Sequence, residues 1–169
     1  MYMLGVGTSP ETEILRELEG ARVLITGLSA ASGVDVARAF ADLKARLVIH
    51  TDDLSPEVTA LVALLSQSSS EIKLYTNAMS SGEATVQFAQ RAAQVFGGLD
   101  AVINIASISS AKVDALRSDA DVDDLVSSTL TPLAHLTHVT ATRMRVVFSE
   151  GMILNVLTMP EPRHGRDLA

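Results

Sequence analysis

The fold is decided by residues 22–53, which read RVLITGLSAASGVDVARAFADLKARLVIHTDD. An apolar run at 23–25 leads into a glycine turn at Gly27, and a segment whose apolar residues have helical spacing begins at Gly33. A second apolar run then ends in the acid pair Asp52-Asp53. The order of strand, glycine turn, helix, strand and acid is typical of the first unit of a dinucleotide-binding sheet.

The loop between the first strand and the helix has the small side chains that a bound pyrophosphate needs. Gly27 permits a tight turn and a close backbone approach, and Ala30, Ala31 and Ser32 leave room beside it. The unpaired N–H groups at the start of the helix, near Gly33, attract negative charge. A generic strand-to-helix turn would have a similar glycine pattern, but the flanking strands and helix favour nucleotide binding.

The composition excludes several classes of protein. The chain has 169 residues, enough for one domain with a core, and its 47% apolar but only 4% aromatic residues predict an aliphatic core. A net charge of −7 disfavours nucleic acid and anionic membranes as partners. No apolar run approaches the roughly 18 residues of a membrane span, and the N-terminus lacks the basic region of a signal peptide. With no cysteine in the sequence, we expect a cytoplasmic protein.

Apolar runs and segments of helical period alternate along the rest of the chain. Besides the strands near 22–26 and 46–50 and the helix near 33–44, we predict helices near 55–66, 82–96 and 122–147 and strands near 72–75, 99–103 and 151–157. Because helices separate the strands, parallel pairing is favoured. The sequence predicts an α/β fold with one doubly wound parallel sheet of order 3-2-1-4-5 in three α/β/α layers. We expect a single domain over residues 1–169, with 1–10 as a loose arm.

Two motifs carry a resemblance to a known family. Thr26-Gly27 and Gly33 match the loop TGxxxGxG of short-chain dehydrogenases/reductases, and Ala31 replaces the middle glycine. The quartet at 104–107, NIAS, resembles the family's NNAG, with its first and third residues matching. The resemblance covers roughly residues 18–158. It implies a Rossmann-type fold and an NAD(P)-dependent oxidoreductase acting on a small alcohol or carbonyl compound.

The acids after the second strand bear on the choice of cofactor. Asp52 or Asp53 lies where a doubly wound fold places the group that meets the adenosine ribose, although both could equally cap the helix that begins near Ser55. No Arg or Lys lies in the glycine loop or directly after this strand, so NAD is favoured over NADP. Asn77 stands where the family commonly has an aspartate that contacts adenine. The predicted cofactor-binding residues are Gly27, Ser29, Ser32, Gly33, Asp52, Asn77 and Asn104.

The catalytic positions of the family are substituted in this sequence. The family's dehydrogenases use Asn, Ser, Tyr and Lys. Thr129 stands where the resemblance places the Asn, and Thr158 stands where it places the Ser. Threonine retains a hydroxyl that can donate a hydrogen bond. Neither Tyr2 nor Tyr75, the two tyrosines of the chain, begins a Tyr-x-x-x-Lys motif.

This motif is expected about a dozen residues after Thr158, and the sequence ends at Ala169. We therefore expect a divergent family member in which the catalytic helix and the last strands are missing, or a short protein that dimerises over the missing part. Two functions remain open. The chain is either an oxidoreductase whose catalytic half is absent or substituted, or a non-catalytic relative that serves as a cofactor-binding or assembly module.

The long helix near 122–147 predicts a homo-oligomer. It contains more apolar residues than one core-facing stripe requires, and in the family this helix packs against its copy in a neighbouring subunit. The alternative is that the excess packs under residues 159–169. Pro132 inside this helix favours a kink. The apolar residues in question are Leu130, Leu133, Leu136, Val139, Met144, Val146 and Val147.

Two groups of potential ligands do not predict a metal site. Asp119, Asp121 and Asp123 lack the glycine and the glutamate that a calcium loop places after them, so helix capping is the better interpretation. His135 and His138 share a helix face, but no further ligands are evident nearby. We expect no metal.

Overall fold

A computed structural model of the chain describes residues 18–30, 32–52, 55–76, 79–147 and 150–160. The predicted arm at 1–10, the predicted adenine contact Asn77, and Ala31 in the glycine loop lie outside these residues, as does Asp53.

Ten elements follow one another along the described chain. The strands are β1 Arg22–Thr26, β2 Arg46–His50, β3 Glu71–Tyr75, β4 Ala101–Ser107 and β5 Met152–Thr158. The helices are α1 Gly33–Asp42, α2 Pro56–Ser68, α3 Gly82–Ala92, α4 Ser110–Asp114 and α5 Asp119–Val146.

The five strands form one parallel sheet in the order β3-β2-β1-β4-β5, which confirms the predicted fold class and strand order. Each face of the sheet buries aliphatic side chains against helices. On one face, Ile25 and Ile49 belong to a cluster that includes residues of α1 and α2. On the other face, Leu24 and Val48 belong to a cluster that includes Phe88 of α3 and residues of α5. This arrangement leaves the carboxyl ends of the strands together at one edge.

The boundaries of several elements differ from those predicted. β4 begins at Ala101 instead of 99 and continues to Ser107, because it pairs with β5 along its whole length. The helix predicted at 82–96 ends at Ala92, and the short helix α4 was not predicted. Pro132 lies inside α5, which is one helix from Asp119 to Val146, and the kink at Pro132 stays a prediction.

Serine side chains define the starts of three long helices. Ser55, Ser81 and Ser118 each accept a hydrogen bond from the main-chain N–H three residues further on. At α5 the cap is reciprocal, because the Asp121 carboxylate accepts hydrogen bonds from the main-chain N–H groups of Arg117 and Ser118 at 2.8 and 2.9 Å. These hydrogen bonds lower the pKa of Asp121, and the one from the Arg117 main chain has the largest effect.

An ion pair lies at the amino ends of the strands, where β1 begins. The Arg22 guanidinium donates to both carboxylate oxygens of Asp100, with Nε 2.9 Å from Oδ2, and the Arg22 main-chain N–H donates to the same carboxylate at 2.8 Å. The hydrogen bonds that Arg22 donates to Asp100 raise the pKa of Arg22 and outweigh the opposing effect of burial. The pair holds the start of β1 beside the residue that precedes β4.

Candidate functional site

A cleft of about 480 Å³ opens at the carboxyl ends of β1, β2 and β4. The chain passes from β1 to β2 on one side of β1, and β4 pairs on its other side, so the cleft lies at the point where the strand order reverses. Ligands of open α/β sheets bind at such points. The lining residues are Thr26, Gly27, Ser29, Ala30, His50, Asp52, Met79, Ser80, Ile105, Ala106, Ser107, Lys112, Ser128, Thr129, Pro132, Leu133 and Leu136.

The two predicted glycines fit the loop tightly against β4. Gly27 has a φ of +76°, and a Cβ added to it would lie 1.9 Å from the carbonyl oxygen of Ile105. A Cβ added to Gly33 would lie 2.4 Å from the carbonyl oxygen of Gly27. Any side chain at either position would push the loop away from the strand or from itself. The glycines therefore shape the loop through its packing, while Gly27 alone of the two lines the cleft.

The start of α1 lies directly after this loop. Ser32 is its N-cap residue and makes no side-chain hydrogen bond to the N–H groups of the first turn. In α2, α3 and α5, by contrast, the N-cap serine does accept a hydrogen bond from an N–H group of the first turn. The first turn of α1 thus lacks the side-chain acceptor that stabilises the first turns of α2, α3 and α5, and N–H groups of this kind are suited to an anion.

Asp52 lies just beyond β2 and is exposed at the edge of the cleft. The Ser29 hydroxyl donates to its Oδ1 at 3.3 Å, which joins the glycine loop to the end of β2. The possibility that Asp52 caps the next helix is wrong, because Ser55 is the N-cap of α2 and accepts from the N–H of Val58.

Asn104 lies in the interior instead of the cleft wall. It is 0% exposed, accepts a hydrogen bond from Thr26 Oγ1 at 3.2 Å and donates from Nδ2 to Asn155 Oδ1 at 2.8 Å. The Asn155 amide in turn donates to Thr137 Oγ1 of α5 at 3.0 Å. These polar groups satisfy one another in a row across β1, β4, β5 and α5, so Asn104 supports the strand ends that surround the cleft.

The two substituted catalytic positions differ in their access to the cleft. Thr129, on α5, is among the lining residues. Thr158, the last residue of β5, is not, but its Oγ1 lies 2.6 Å from Oγ of Ser107, which does line the cleft. Ser32 and Gly33 lie beside the cleft without lining it.

The lining residues that were not predicted from the sequence include His50, Ser107 and Lys112. His50 is buried at the end of β2, with its ring centroid 4.7 Å from that of Phe88. Ser107 ends β4, and Lys112 brings a cation to the cleft from α4. The one sequence signal for Ser107 was its position in the quartet NIAS, where the resemblance gives a glycine; nothing in the sequence pattern distinguished His50 or Lys112.

No metal site or membrane helix is found in the part of the chain that the structure describes. Within it, no three His, Cys, Asp or Glu side chains are grouped so that they could hold a metal ion. His135 packs against α3, where its Nε2 lies 2.9 Å from the position that a Cβ on Gly82 would occupy. None of the described helices is both long and apolar enough to cross a membrane.

Comparison with known proteins identifies similar sequences and folds. The family model described as short chain dehydrogenase matches residues 21–161. The solved structure of the NADH-dependent reductase A1-R′ complexed with NAD aligns with a TM-score of 0.68 at 16% identity, over 83% of this chain and 60% of that chain. A metagenomic short-chain oxidoreductase in complex with NADP aligns with a TM-score of 0.68 at 24% identity, over 82% of this chain and 61% of that chain.

A short chain dehydrogenase from Mycobacterium avium aligns with a TM-score of 0.69 at 22% identity, over 82% of this chain and 54% of that chain. The chain thus spans roughly three fifths of the length of the solved structures that it matches. No curated protein sequence matches it significantly.

Proposed function

This chain belongs to the short-chain dehydrogenase family, and we propose that it binds a nicotinamide dinucleotide in the cleft as part of an oxidoreductase acting on a small alcohol or carbonyl compound. The observation that carries the proposal is the position of the cleft, bordered by the glycine loop and by three strand ends at the reversal of strand order. We further propose that residues 1–169 form one domain and that the protein is cytoplasmic, which its lack of cysteine favours.

The residues around the cleft fit this group. The backbone of Gly27 and the N–H groups of the first turn of α1 would hold the pyrophosphate, because Ser32 supplies no side-chain cap there. The N–H of Gly33 itself donates to the carbonyl oxygen of Ala30 at 2.9 Å and shapes the loop. Ser29 would contact the same part of the ligand from the rim of the cleft. Asn77 would contact the adenine, and Asn104 would act from the interior by holding the strand ends. When bound, the nicotinamide would supply or accept a hydride.

Asp52 supports NAD as the preferred form. Its carboxylate lies at the carboxyl end of β2, where a doubly wound sheet meets the adenosine ribose, and it could accept hydrogen bonds from the ribose hydroxyls. The 2′-phosphate of NADP would bring negative charge close to this carboxylate. Solved structures with similar folds carry NAD in one case and NADP in another, so the preference rests on Asp52.

The reacting end of the cleft would lie near Thr129, Ser107 and Thr158. Hydroxyl groups there can orient the oxygen of a substrate. Among the described lining residues there is no tyrosine to act as the family's general acid and base, and Tyr75 instead packs edge-on against Phe88. A non-catalytic relative that binds the cofactor is the second candidate function.

Assembly through α5 is also proposed. Val122, Val126 and Leu130 are 42%, 45% and 43% exposed, and they lie four residues apart along the helix. Such an apolar stripe on a soluble protein is typical of an interface between copies of a chain. The assignment of Leu136 and Met144 to this surface is wrong, because both are buried in the cluster with Phe88.

Calorimetric titration tests the proposed cofactor. We expect NADH to bind saturably and more tightly than NADPH, and Asp52→Ala to reduce the preference for NADH because the repulsion of the 2′-phosphate is removed. The matched control is Asp42→Ala, which removes the same charge from the far end of α1. Absence of binding by NAD and NADH at millimolar concentration would rule out the proposal.

An activity assay separates the two candidate functions. Oxidation of NADH in the presence of a panel of ketones would support the enzyme. Binding without turnover would support the non-catalytic relative.

A further inference from the structure

The geometry at the ends of β4 and β5 points to Ser107 as the residue that hydrogen-bonds the reacting oxygen of the substrate, with Thr158 behind it as a positioning residue. We infer this assignment on the basis of the proposed function, since it concerns the substrate end of the same cleft. It reverses the expectation from the resemblance, in which Thr158 would contact the substrate directly.

Access to the cleft distinguishes the two residues. Ser107 and Thr158 are register partners at the last positions of paired strands. Ser107 borders the cleft and Thr158 does not. The two hydroxyl oxygens are 2.6 Å apart, a distance typical of a strong O–H···O hydrogen bond. A ligand oxygen that enters the cleft therefore meets Ser107 first, and Thr158 acts on it through Ser107.

The main chain holds this pair in place. The Ile108 N–H donates to the carbonyl oxygen of Thr158 at 2.9 Å, which continues the pairing of β4 and β5 past the end of the strands. Thr158 Oγ1 also lies 3.3 Å from the carbonyl oxygen of Ala106 and can donate to it. Because a threonine hydroxyl has a single proton, Thr158 cannot donate to Ala106 and to Ser107 at the same time.

Within these contacts, the pair can take two hydrogen-bonding arrangements. When Thr158 donates to the Ala106 carbonyl, Ser107 donates to Thr158, and the Ser107 oxygen can accept a hydrogen bond from an alcohol. When Thr158 donates to Ser107 instead, Ser107 can donate to a carbonyl oxygen. The two states differ only in the rotation of two hydroxyl groups, and no covalent bond breaks. The pair therefore suits both the alcohol and the carbonyl form of a substrate.

The residue that creates this pair departs from the family motif. In the quartet NIAS, Ser107 occupies the position at which the family motif NNAG has glycine, and glycine has no side chain to contact either Thr158 or a ligand. With a serine there, the hydroxyl at the cleft comes from β4.

Infrared spectroscopy of a bound ketone tests the assignment. The probe is cyclohexanone with a 13C-labelled carbonyl, added to the full chain saturated with NAD. In the wild type we expect the carbonyl stretch to shift to lower frequency. Ser107→Ala should abolish the shift and weaken binding of cyclohexanone roughly two- to tenfold, the usual effect of one neutral hydrogen bond. Ser107→Thr should retain the shift. Thr158→Val should reduce the shift without abolishing it, since Ser107 can still donate but is no longer held by Thr158.

Two controls make the outcome decisive. Ser110→Ala, on the exposed start of α4, should behave as wild type. Circular dichroism checks that each variant is folded. If Thr158→Val abolishes the shift and Ser107→Ala retains it, or if cyclohexanone does not bind the NAD complex, the assignment is overturned. A wild type that binds neither NAD nor NADH refutes the proposed function instead, so the two failures are distinguishable.

Discussion

Gly27→Ala should destabilise the protein far more than Gly97→Ala, although the two glycines have the same backbone conformation. Their φ angles are +76° and +77°, so a side chain at either position costs about 1–2 kcal/mol for the left-handed conformation. At Gly97 no described atom lies within 4 Å of the added Cβ. At Gly27 the Cβ would lie 1.9 Å from the carbonyl oxygen of Ile105.

The added Cβ is attached to the main chain of the glycine loop and meets the main chain of β4 at Ile105, so no side chain can rotate to relieve the clash. Either the glycine loop or β4 must move by more than 1 Å to reach the 3.4 Å of an ordinary contact. Forced overpacking of this kind typically costs about 1–3 kcal/mol. Together with the cost of the backbone conformation, the loss at Gly27 is about 2–5 kcal/mol, against about 1–2 kcal/mol at Gly97.

Urea denaturation followed by circular dichroism measures both losses. We expect a larger fall in the midpoint for Gly27→Ala, with unchanged slopes. If Gly27→Ala remains folded, it should also bind NADH more weakly than Gly97→Ala does, because the displaced loop borders the cleft. Equal losses of stability in the two variants would refute the account of how the loop packs on β4.

Three further predictions concern the interior, the start of α5 and its surface. Asn104→Ala should lower the free energy of unfolding by about 1–3 kcal/mol, because it leaves the buried Thr26 hydroxyl without its acceptor; an unchanged midpoint in urea denaturation would contradict this. The hydrogen bonds that lower the pKa of Asp121 stabilise the folded state above the pKa of the unfolded aspartate, and this contribution is lost as the pH falls through the lower, folded pKa. Asp121→Asn should therefore flatten the acid end of a stability–pH profile, and an unchanged profile would count against the cap. Leu130→Glu should convert an oligomer into a monomer in light scattering at micromolar concentration, whereas a wild type that is already monomeric would exclude the interface.

The sheet could be predicted from the sequence because its signals are local. Each strand is a short apolar run, and each connection has a helical period, so the order of elements and the parallel pairing follow from residues that are close in sequence. The length of β4 could not be predicted in this way, because it depends on the partner strand β5. Its extension to Ser107 follows from pairing with β5, about 50 residues further along the chain, which no local pattern reveals.

The site was harder to predict for the same reason. The glycine loop and Asp52 belong to one continuous unit, so their proximity could be foreseen. Ser107 and Thr158 are brought together only by the register of two strands that are distant in sequence. Leu136 was assigned to the surface because apolar residues occur all around α5, and only the packing against α3 shows which of them face the core.

The proposed cofactor site is tested most directly by titrating the 15N-labelled chain with NADH and following the amide resonances. The account predicts saturable shifts concentrated at Gly27, Ser29, Asp52 and Ala106, with the amide of Gly97 at the far edge of the sheet unaffected. An unchanged spectrum at millimolar NADH, or shifts confined to residues away from the carboxyl ends of the strands, would contradict it.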